Sequence, residues 1–246
     1  MRIPRIHVPQ PLAPGVEVEL PPQAGEHVAR VLRLEAGHPL RLFHGDGSEY
    51  AAELASLARR RVTARVLEAV PAPDRESRLS ITLGQGIARG EKMDWILQKA
   101  TELGVARVVP LITGRTEVKL DAERAGRRMA HWQAVLASAC EQCGRNRLPA
   151  LDPPTRLVDW AGELASSPAP GLRLILDPKG SRRVRDLAPA SAITLAIGPE
   201  GGLSEQDRSI LQQAGFDGLA VGPRILRTET AGLAAIAALQ ACHGDM

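Results

Sequence analysis

Short alternating runs of apolar and polar residues mark the first seventy residues of the chain. Val16–Leu20 and Pro39–Phe43 alternate, and Glu49–Leu57 and Arg61–Leu67 follow as further short runs. Side chains of a strand point alternately to the two faces of a sheet, so these runs predict four β-strands separated by turns. One short helix is predicted near His27–Arg33. Several short strands of this kind favour a small β-barrel or sandwich.

The pattern changes after Ala69–Arg78, a segment with two prolines and several charged residues. Proline has no backbone N–H and a fixed φ, so this segment suits neither a strand nor a helix. The sequence therefore predicts a linker here and two domains, 1–72 and 73–246.

Strands and helices alternate after this segment. Continuous apolar strands are typical of a parallel sheet that is covered on both faces, so the predicted fold class is α/β with a mostly parallel sheet. The predicted strands are Leu79–Leu83, Val105–Ile112, Leu172–Leu176, Ile193–Ile197 and Gly218–Val221. The predicted helices are Glu91–Leu103, Ala122–Cys143, one that begins after Ser204 with Asp207 completing a capping box, and Ala231–Cys242.

Two loops that leave predicted strands begin with Gly-Pro. They are Gly198–Leu203 and Gly222–Arg227. Glycine allows positive φ and brings no Cβ near a ligand, whereas proline stiffens the chain. Loops of this kind at neighbouring strand ends form a crevice of backbone N–H and C=O groups, which can bind an adenine and a ribose. Each loop alone is read as a tight turn, but the pair, followed by Thr228–Thr230, favours a binding site. The Lys-Ser/Thr pair of a phosphate-binding P-loop is missing from both, which disfavours ATP hydrolysis.

Composition adds only weak constraints on partners. The formal net charge is +3, and 27 of the 31 basic residues are arginines, which reflects either codon bias or contacts with RNA phosphates. Aromatic residues make up 2% of the chain, which argues against binding single strands mainly by base stacking. The basic run Arg59–Arg61 is read as a solvated turn or as a nucleic-acid contact.

Three cysteines are too few for a disulfide framework, and neither a signal peptide nor a long apolar segment is evident. A cytoplasmic protein with no membrane partner is therefore expected. Cys140 and Cys143 have C-x-x-C spacing, but suitable further zinc ligands are missing and the pair ends a helix. Ordinary thiols and no metal are expected.

Two further motifs leave alternatives open. Gly84–Gly90 approaches a dinucleotide-binding fingerprint, but its third glycine comes one residue late, so a turn with a basic rim is favoured. The polar cluster Glu141–Arg147 at a predicted helix end is either a solvated cap or a surface that faces a substrate.

The two loop motifs, Gly198–Ser204 and Gly222–Ala231, resemble the signature of the bacterial small-subunit ribosomal RNA uracil-N3 methyltransferases. Those enzymes belong to the SPOUT superfamily of S-adenosylmethionine-dependent methyltransferases. Lys92–Gly104, Glu141–Arg145 and His27–Arg33 resemble other segments of that family, so the resemblance covers essentially the whole chain.

Two positions depart from the family pattern. Cys143 stands where a serine is expected, and His7 stands where the N-terminal segment usually has an aromatic residue. Neither departure touches the two loops. The second leaves the N-terminal contact with RNA less certain.

The resemblance implies a C-terminal SPOUT domain with a deep trefoil knot, preceded by a small PUA-like β-barrel that binds RNA. It also implies a homodimer, S-adenosylmethionine as the cofactor, and methylation at N3 of a uridine in 16S ribosomal RNA or the small ribosomal subunit. The knotted loops would bind the cofactor through Leu176, Ile197, Gly198, Pro199, Gly201, Gly202, Leu203, Val221, Gly222, Ile225, Leu226 and Ala231.

Methylation of uracil N3 requires a group that takes the N3 proton or stabilises the anion that forms. Arg227 is expected to stabilise the anion, and Glu229 or Glu200 to accept the proton. Glu200 could instead only hold its own loop. Glu141 and Arg145 resemble family positions near the substrate, from either subunit.

The target base must be unpaired or flipped out, because N3 lies on its pairing edge. The residues expected to hold RNA phosphates are Arg5, Arg33, Arg89, Lys92 and Lys99. The alternatives are a SPOUT ribose 2′-O-methyltransferase, a non-catalytic RNA-binding protein and, more distantly, a dinucleotide-dependent enzyme.

Overall fold

The chain divides into two units in a computed structural model that describes residues 3–58, 61–118, 121–167 and 171–246. One unit, here called the small unit, comprises Met1–Glu76 and Ala137–Leu148. The other, the large unit, comprises Ser77–Leu136 and Pro149–Met246. Arg59 and Arg60 of the predicted basic run lie outside the described residues.

The small unit contains a five-stranded mixed sheet with the order β1-β3-β4-β5-β2. Its strands are β1 (Arg5–His7), β2 (Glu17–Glu19), β3 (Pro39–Phe43), β4 (Glu49–Ala58) and β5 (Arg61–Val70). β1 pairs with β3 in parallel, and the other pairs are antiparallel. Alternate residues of the strands, such as Leu40, Leu42 and Leu54, form a buried core on one face. This arrangement confirms the prediction of a small β domain.

The helix predicted near His27–Arg33 begins earlier and has a different form. Helix α1 spans Pro22–Glu26, with proline at its first position, where a missing N–H costs nothing. A π-helical turn over His27–Val31 follows. Arg33 ends this segment at φ +51°, the single non-glycine residue with positive φ in the described ranges. Strand β1 was not predicted, because its three residues follow Pro4 and are too few for a visible alternation.

The large unit is built on a parallel sheet, as predicted. In the described residues its strands are β6 (Ser80–Gly86), β7 (Arg107–Ile112), β8 (Ala150–Leu151), β9 (Thr155–Arg156), β10 (Leu172–Leu176), β11 (Ala192–Ile197) and β12 (Asp217–Leu219). Their order is β12-β10-β11-β6-β7-β8, and β9 also pairs with β7. Every pair is parallel. The helices are α2 (Glu91–Glu102), α4 (Leu157–Ser166), α5 (Glu205–Gln213) and α6 (Thr228–His243), with a 3-10 turn over Val184–Asp186. Helix α3 (Ala122–Cys143) begins in this unit, and its residues from Ala137 onward belong to the small unit.

Buried side chains cover both faces of this sheet, which confirms the prediction made from its continuous apolar strands. Ile193 and Leu195 of β11 belong to one buried cluster, whereas Ala196 belongs to another together with Trp160 of α4 and Leu211 of α5. Neighbouring residues of one strand point to opposite faces, so the two clusters lie on opposite sides of the sheet. None of the helices in the described ranges is long and apolar enough to cross a membrane.

Helix α6 begins at Thr228, three residues before its predicted start at Ala231. Arg227 is its N-cap residue, and its carbonyl oxygen accepts hydrogen bonds from the N–H groups of Thr230 and Ala231 at 2.9 and 2.7 Å. Threonine and glutamate are tolerated in a first turn, where the helix dipole favours a negative charge. Thr228 and Glu229 are therefore fixed by a helix and do not belong to a free loop.

Two glycines of the motif that approached a dinucleotide fingerprint are positions of close packing. A Cβ at Gly84 would lie 2.4 Å from a ring carbon of Trp160, and one at Gly86 would lie 2.5 Å from Pro199. Both residues belong to strand β6. The glycine spacing is thus explained by what packs on the sheet, which removes the main reason for the dinucleotide interpretation.

Gly84→Ala should destabilise the protein, because the added methyl group overlaps the buried ring of Trp160. Overpacking of this kind costs about 1–3 kcal/mol. Thermal or urea unfolding measures the loss. Gly162→Ala in helix α4 is the matched control, since nothing lies within 4 Å of its Cβ position. It should be neutral or stabilise by up to about 1 kcal/mol. Equal stability of the Gly84→Ala variant and the unmodified protein would contradict this packing.

Candidate functional site

The ends of three neighbouring strands surround a cavity in the large unit. β12, β10 and β11 are adjacent and parallel, so their carboxyl ends meet at one edge of the sheet, where ligands of open α/β sheets bind. The cavity has a volume of about 500 Å³. All of the residues predicted to bind the cofactor line it: Leu176, Ile197, Gly198, Pro199, Gly201, Gly202, Leu203, Val221, Gly222, Ile225, Leu226 and Ala231. Their contact with a cofactor remains a prediction.

The first Gly-Pro loop, Gly198–Leu203, is a turn whose backbone folds closely upon itself. A Cβ at Gly198 would lie 2.5 Å from the carbonyl carbon of Gly202. The N–H of Gly202 donates to the carbonyl oxygen of Pro199 at 2.8 Å, and Gly202 has φ +68°. The space that a Cβ at Gly202 would enter is empty to 4 Å. The glycines therefore both allow the turn and leave its inner surface open.

Thr228 ties this loop to helix α6 and strand β6. Its hydroxyl donates to the carbonyl oxygen of Gly198 at 2.6 Å and accepts from Nε2 of Gln85 at 3.0 Å. Gln85 is fully buried, and its Nε2 also donates to the carbonyl oxygen of Gly86 at 2.9 Å. A threonine in the first turn of the last helix thus fixes the position of the first loop.

Glu200 is held as a carboxylate by the residues that precede and begin α2. Its Oε1 accepts from the backbone N–H of Arg89 at 3.1 Å and from Nζ of Lys92 at 3.2 Å. Burial by itself would raise the pKa of Glu200, but hydrogen bonds from its own backbone, from Arg89 and from Lys92 hold that pKa below its ordinary value. These contacts favour a role in holding the loop. Its prediction as a proton acceptor remains untested.

Arg227 and Glu229 both line the cavity and differ in exposure. Arg227 is exposed, and its guanidinium has no hydrogen-bond or ion-pair partner within the described ranges. Glu229 is 9% exposed, and its Oε2 has no hydrogen-bond partner among the same residues. A buried carboxylate oxygen without a partner is costly, which points to a group that it meets in another state of the protein.

Glu141 and Arg145 belong to the small unit, where both are largely buried. Oε1 of Glu141 accepts from the backbone N–H of His7 at 2.9 Å. Burial raises the pKa of Glu141, although this hydrogen bond and the charge of Arg5 oppose the increase. Nη2 of Arg145 donates to Oε2 of Glu76 at 2.6 Å. The predicted substrate contacts of both residues remain predictions.

Arg5, predicted to hold RNA, uses its guanidinium inside the small unit. Its Nη1 donates to the carbonyl oxygens of Cys140 and Glu141 at 2.8 and 3.2 Å, at the end of helix α3. The same group lies 4.8 Å from the centre of the Phe43 ring. Arg5 therefore acts as a cation at a helix C-terminus, which stabilises that end of the helix.

The other four residues predicted to contact RNA lie nearer the surface. Arg33 is exposed. Arg89 pairs with Glu117 at 2.8 Å, Lys92 with Glu200 as described, and Lys99 with Glu102 at 2.8 Å. The pairs of Arg89 and Lys99 lie near the surface and contribute little to stability, so exchanging their carboxylates for a phosphate would cost little.

The two cysteines of the C-x-x-C motif differ in burial, since Cys140 is buried and Cys143 is half-buried. Cys140, Cys143 and Cys242 are free thiols. Burial raises the pKa of Cys140 to about 12, which keeps that thiol protonated and unreactive. In the ranges that the structure describes, no group of three or more histidine, cysteine, aspartate or glutamate side chains could hold a metal ion.

Several residues of the cavity were missed by the sequence analysis. They are Asp177, Pro178, Arg115, Arg208, Arg224 and Thr228. Asp177 follows a predicted strand at the same edge as the two Gly-Pro loops, and that position is the signal that could have found it. Arg115 and Arg208 come from other elements, and no local pattern connects them to the loops.

Two family models match the chain. An RNA methyltransferase domain matches residues 75–240, and an RNA methyltransferase PUA domain matches residues 20–67. Among curated proteins, ribosomal RNA small subunit methyltransferase E of Buchnera aphidicola is 30% identical over 100% of this chain and 98% of its own. The protein of the same name from Bacillus subtilis is 31% identical over 87% of this chain and 85% of its own.

Solved structures with similar folds cover the whole chain. A methyltransferase from Legionella pneumophila, solved with its cofactor S-adenosylmethionine bound, has a TM-score of 0.93 and 42% identity over 100% of both chains. Ribosomal RNA small subunit methyltransferase E from Neisseria gonorrhoeae, bound to S-adenosylmethionine, has a TM-score of 0.87 and 39% identity over 100% of both chains.

Thr228→Val should lower both stability and the order of the first Gly-Pro loop, because it removes the hydroxyl that joins Gly198 to Gln85. A buried polar group left without a partner costs about 1–3 kcal/mol. Urea unfolding measures the loss, and hydrogen exchange at Gly202 and Leu203 reports the loop. Thr228→Ser keeps the hydroxyl and is the matched control. Equal stability and exchange for the valine and serine variants would contradict the role of this hydroxyl.

Proposed function

The chain belongs to the family of ribosomal RNA small subunit methyltransferase E, and from this membership we propose that it methylates N3 of a uridine in 16S ribosomal RNA with S-adenosylmethionine as the methyl donor. The observation that carries the proposal is the cavity between the two Gly-Pro loops, with Arg227 and Glu229 on its wall. RNA methylation is the activity that the names of the relatives describe, and this cavity is where it would occur.

The residues present fit S-adenosylmethionine. The cavity of about 500 Å³ lies within the range of small-molecule sites. Gly202 and Gly222 both have positive φ, and the positions of their absent Cβ atoms face empty space. Backbone groups of the loops would hold the adenosyl part in this cradle. The bound cofactor supplies a methyl group activated by its sulfonium.

Arg227 would stabilise the negative charge that develops at N3, and Glu229 would accept the N3 proton. Arg227 is the N-cap of α6 and carries a guanidinium with no partner in the described ranges, so its donors are available to an imide anion. Glu229, in the first turn of the same helix, has a buried oxygen that lacks a hydrogen-bond donor among those residues. A desolvated carboxylate near a substrate N–H is suited to accept its proton. Glu229 is therefore the preferred proton acceptor, ahead of Glu200.

The target base must leave its pair to present N3, and charged residues outside the cavity would hold the RNA backbone. We assign this contact to Arg33, Arg89, Lys92 and Lys99, whose side chains lie near the surface. Binding through phosphates weakens steeply with salt.

A homodimer and a trefoil knot also belong to this proposal. Ala234, Ala237, Ala238 and Ala241 lie along one face of α6 and are not buried within a single chain, so another backbone can approach there. Sedimentation at the mass of one chain would overturn the dimer, and a crystal structure traced through β10–β12 and their loops tests the knot.

Purified protein, labelled S-adenosylmethionine and small ribosomal subunits from cells without the activity should yield N3-methyluridine. Digestion to nucleosides and mass spectrometry identify the product. A ribose-methylated nucleoside would instead support a 2′-O-methyltransferase. RNA binding without any binding of S-adenosylmethionine would support a non-catalytic RNA-binding protein.

Glu229→Gln should lower turnover by roughly 10²–10⁴-fold, the usual contribution of a general base, with little change in the Kd for S-adenosylmethionine. Arg227→Ala should likewise lower turnover far more than cofactor affinity. Single-turnover rates and calorimetry separate the two effects. Glu205→Gln is the matched control, because its side chain is 97% exposed in the first turn of α5. An equal loss of turnover and affinity would indicate a structural role for either residue.

A further inference from the structure

Asp177 is a carboxylate that lines the cavity and that the methyl-transfer mechanism does not use. It follows β10, which lies between β11 and β12 in the sheet. The first Gly-Pro loop leaves β11, and the second follows β12. Asp177 therefore lies at the strand end between the two loops, within reach of a ligand that both loops contact.

The backbone of Asp177 is fixed on both sides. Its N–H donates to the carbonyl oxygen of Leu219 at 2.9 Å, which joins it to β12. Its carbonyl oxygen accepts from the N–H of Gly180 at 2.9 Å and closes a turn. Close contact between Gly180 and Gly218 holds that turn, since a Cβ at Gly180 would lie 2.5 Å from the backbone of Gly218. The backbone from which this carboxylate extends is therefore held rigidly.

The side chain of Asp177 is also oriented, but its oxygens are not saturated. Oδ1 accepts from the backbone N–H of Lys179 at 2.9 Å, and Oδ2 accepts from Nη1 of Arg208 on α5. An ionised carboxylate has about four acceptor positions, so roughly two remain after these bonds. The side chain of Asp177 is 23% exposed and lines the cavity, so a ligand can reach it.

We propose that Asp177 binds the two ribose hydroxyls of the adenosyl cofactor and that Arg208 is the positioning residue that orients its carboxylate. This inference rests on the proposed function. Two open acceptor positions on one rigid carboxylate match a vicinal diol, which presents two donors side by side. Neutral backbone groups of the loops can recognise the adenine, whereas two hydroxyl donors are bound more strongly by a charged acceptor.

The other two carboxylates that line the cavity are less suited to this role. Glu200 belongs to the first loop itself, where Arg89 and Lys92 bind its Oε1, and does not follow the strand between the two loops. Glu229 lies in the first turn of α6 beside Arg227, where the mechanism places the base. Asp177 alone of the three follows the central strand.

The test compares calorimetric binding of S-adenosylhomocysteine with binding of its 2′-deoxy and 3′-deoxy analogues. For the unmodified protein, each missing hydroxyl should weaken binding by about 10-fold to 100-fold, the usual effect of a hydrogen bond to a charged group. Asp177→Asn should weaken binding of the parent compound and abolish most of the discrimination against the analogues. Arg208→Met should reduce that discrimination without abolishing binding.

Asp217→Asn is the matched control, because Asp217 pairs with Arg182 at 3.2 Å and does not line the cavity. It should leave both affinities unchanged. Thermal unfolding confirms that each variant is folded, and the comparison of ligands on the unmodified protein does not depend on any variant.

Three results would overturn the inference and leave the proposed function intact. The first is equal binding of the deoxy analogues and the parent compound by the unmodified protein, which would mean that the hydroxyls are not bound. The second is full discrimination by Asp177→Asn, with unchanged affinity for the parent compound, which would assign the ribose to other groups. The third is an equal loss of affinity for all three ligands in Asp177→Asn with the discrimination kept, which would place Asp177 at another part of the cofactor. Failure of the unmodified protein to bind S-adenosylhomocysteine at all would overturn the proposed function as well.

Discussion

Backbone segments around the cavity approach one another so closely that no side chain fits between them. Gly86 lies against Pro199, Gly198 against Gly202, and Gly180 against Gly218, and a Cβ at any of the three would come within 2.5 Å of its neighbour. Because the strand ends and loops touch through their main chains, the positions of these segments around the cavity are set by hydrogen bonds and covalent geometry. A site of this kind is preorganised, so little conformational entropy is lost when a ligand enters.

Charge is arranged around this neutral cradle in two ways. Some groups are already paired, such as Glu200 with Lys92 and Asp177 with Arg208, and these hold the loops in place. Others lack a partner among the described residues, namely the guanidinium of Arg227 and one carboxylate oxygen of Glu229. Pairing stabilises the resting protein, whereas the roles proposed for Arg227 and Glu229 place their interactions in a state in which charge develops. That division agrees with catalysis by preferential binding of a transition state.

Much of this arrangement was visible in the sequence, because it depends on local signals. The strand periodicity predicted the sheet, the capping box at Ser204 predicted the start of α5, and the Gly-Pro exits of β11 and β12 predicted the crevice. Helix α4 was not predicted although Leu157, Trp160, Ala161 and Leu164 have helical spacing. The internal role of Arg5 could not be predicted at all. Its acceptors lie some 135 residues away, and no local pattern reports a contact of that sequence separation.

The small unit is not one continuous piece of chain. It includes Ala137–Leu148, and that segment supplies the acceptors of Arg5, the carboxylate bonded to His7, and the carbonyl of Asn146 that accepts from Gly47. During translation, the first 76 residues therefore emerge well before their last interacting segment. The small unit cannot complete its native contacts until Leu148 has left the ribosome, by which time Ser77–Leu136 of the large unit has been synthesised as well. Long-range closure of this kind slows folding and leaves strand edges exposed for longer. A nascent chain of this protein thus has a longer need of chaperone protection than its small N-terminal sheet would suggest.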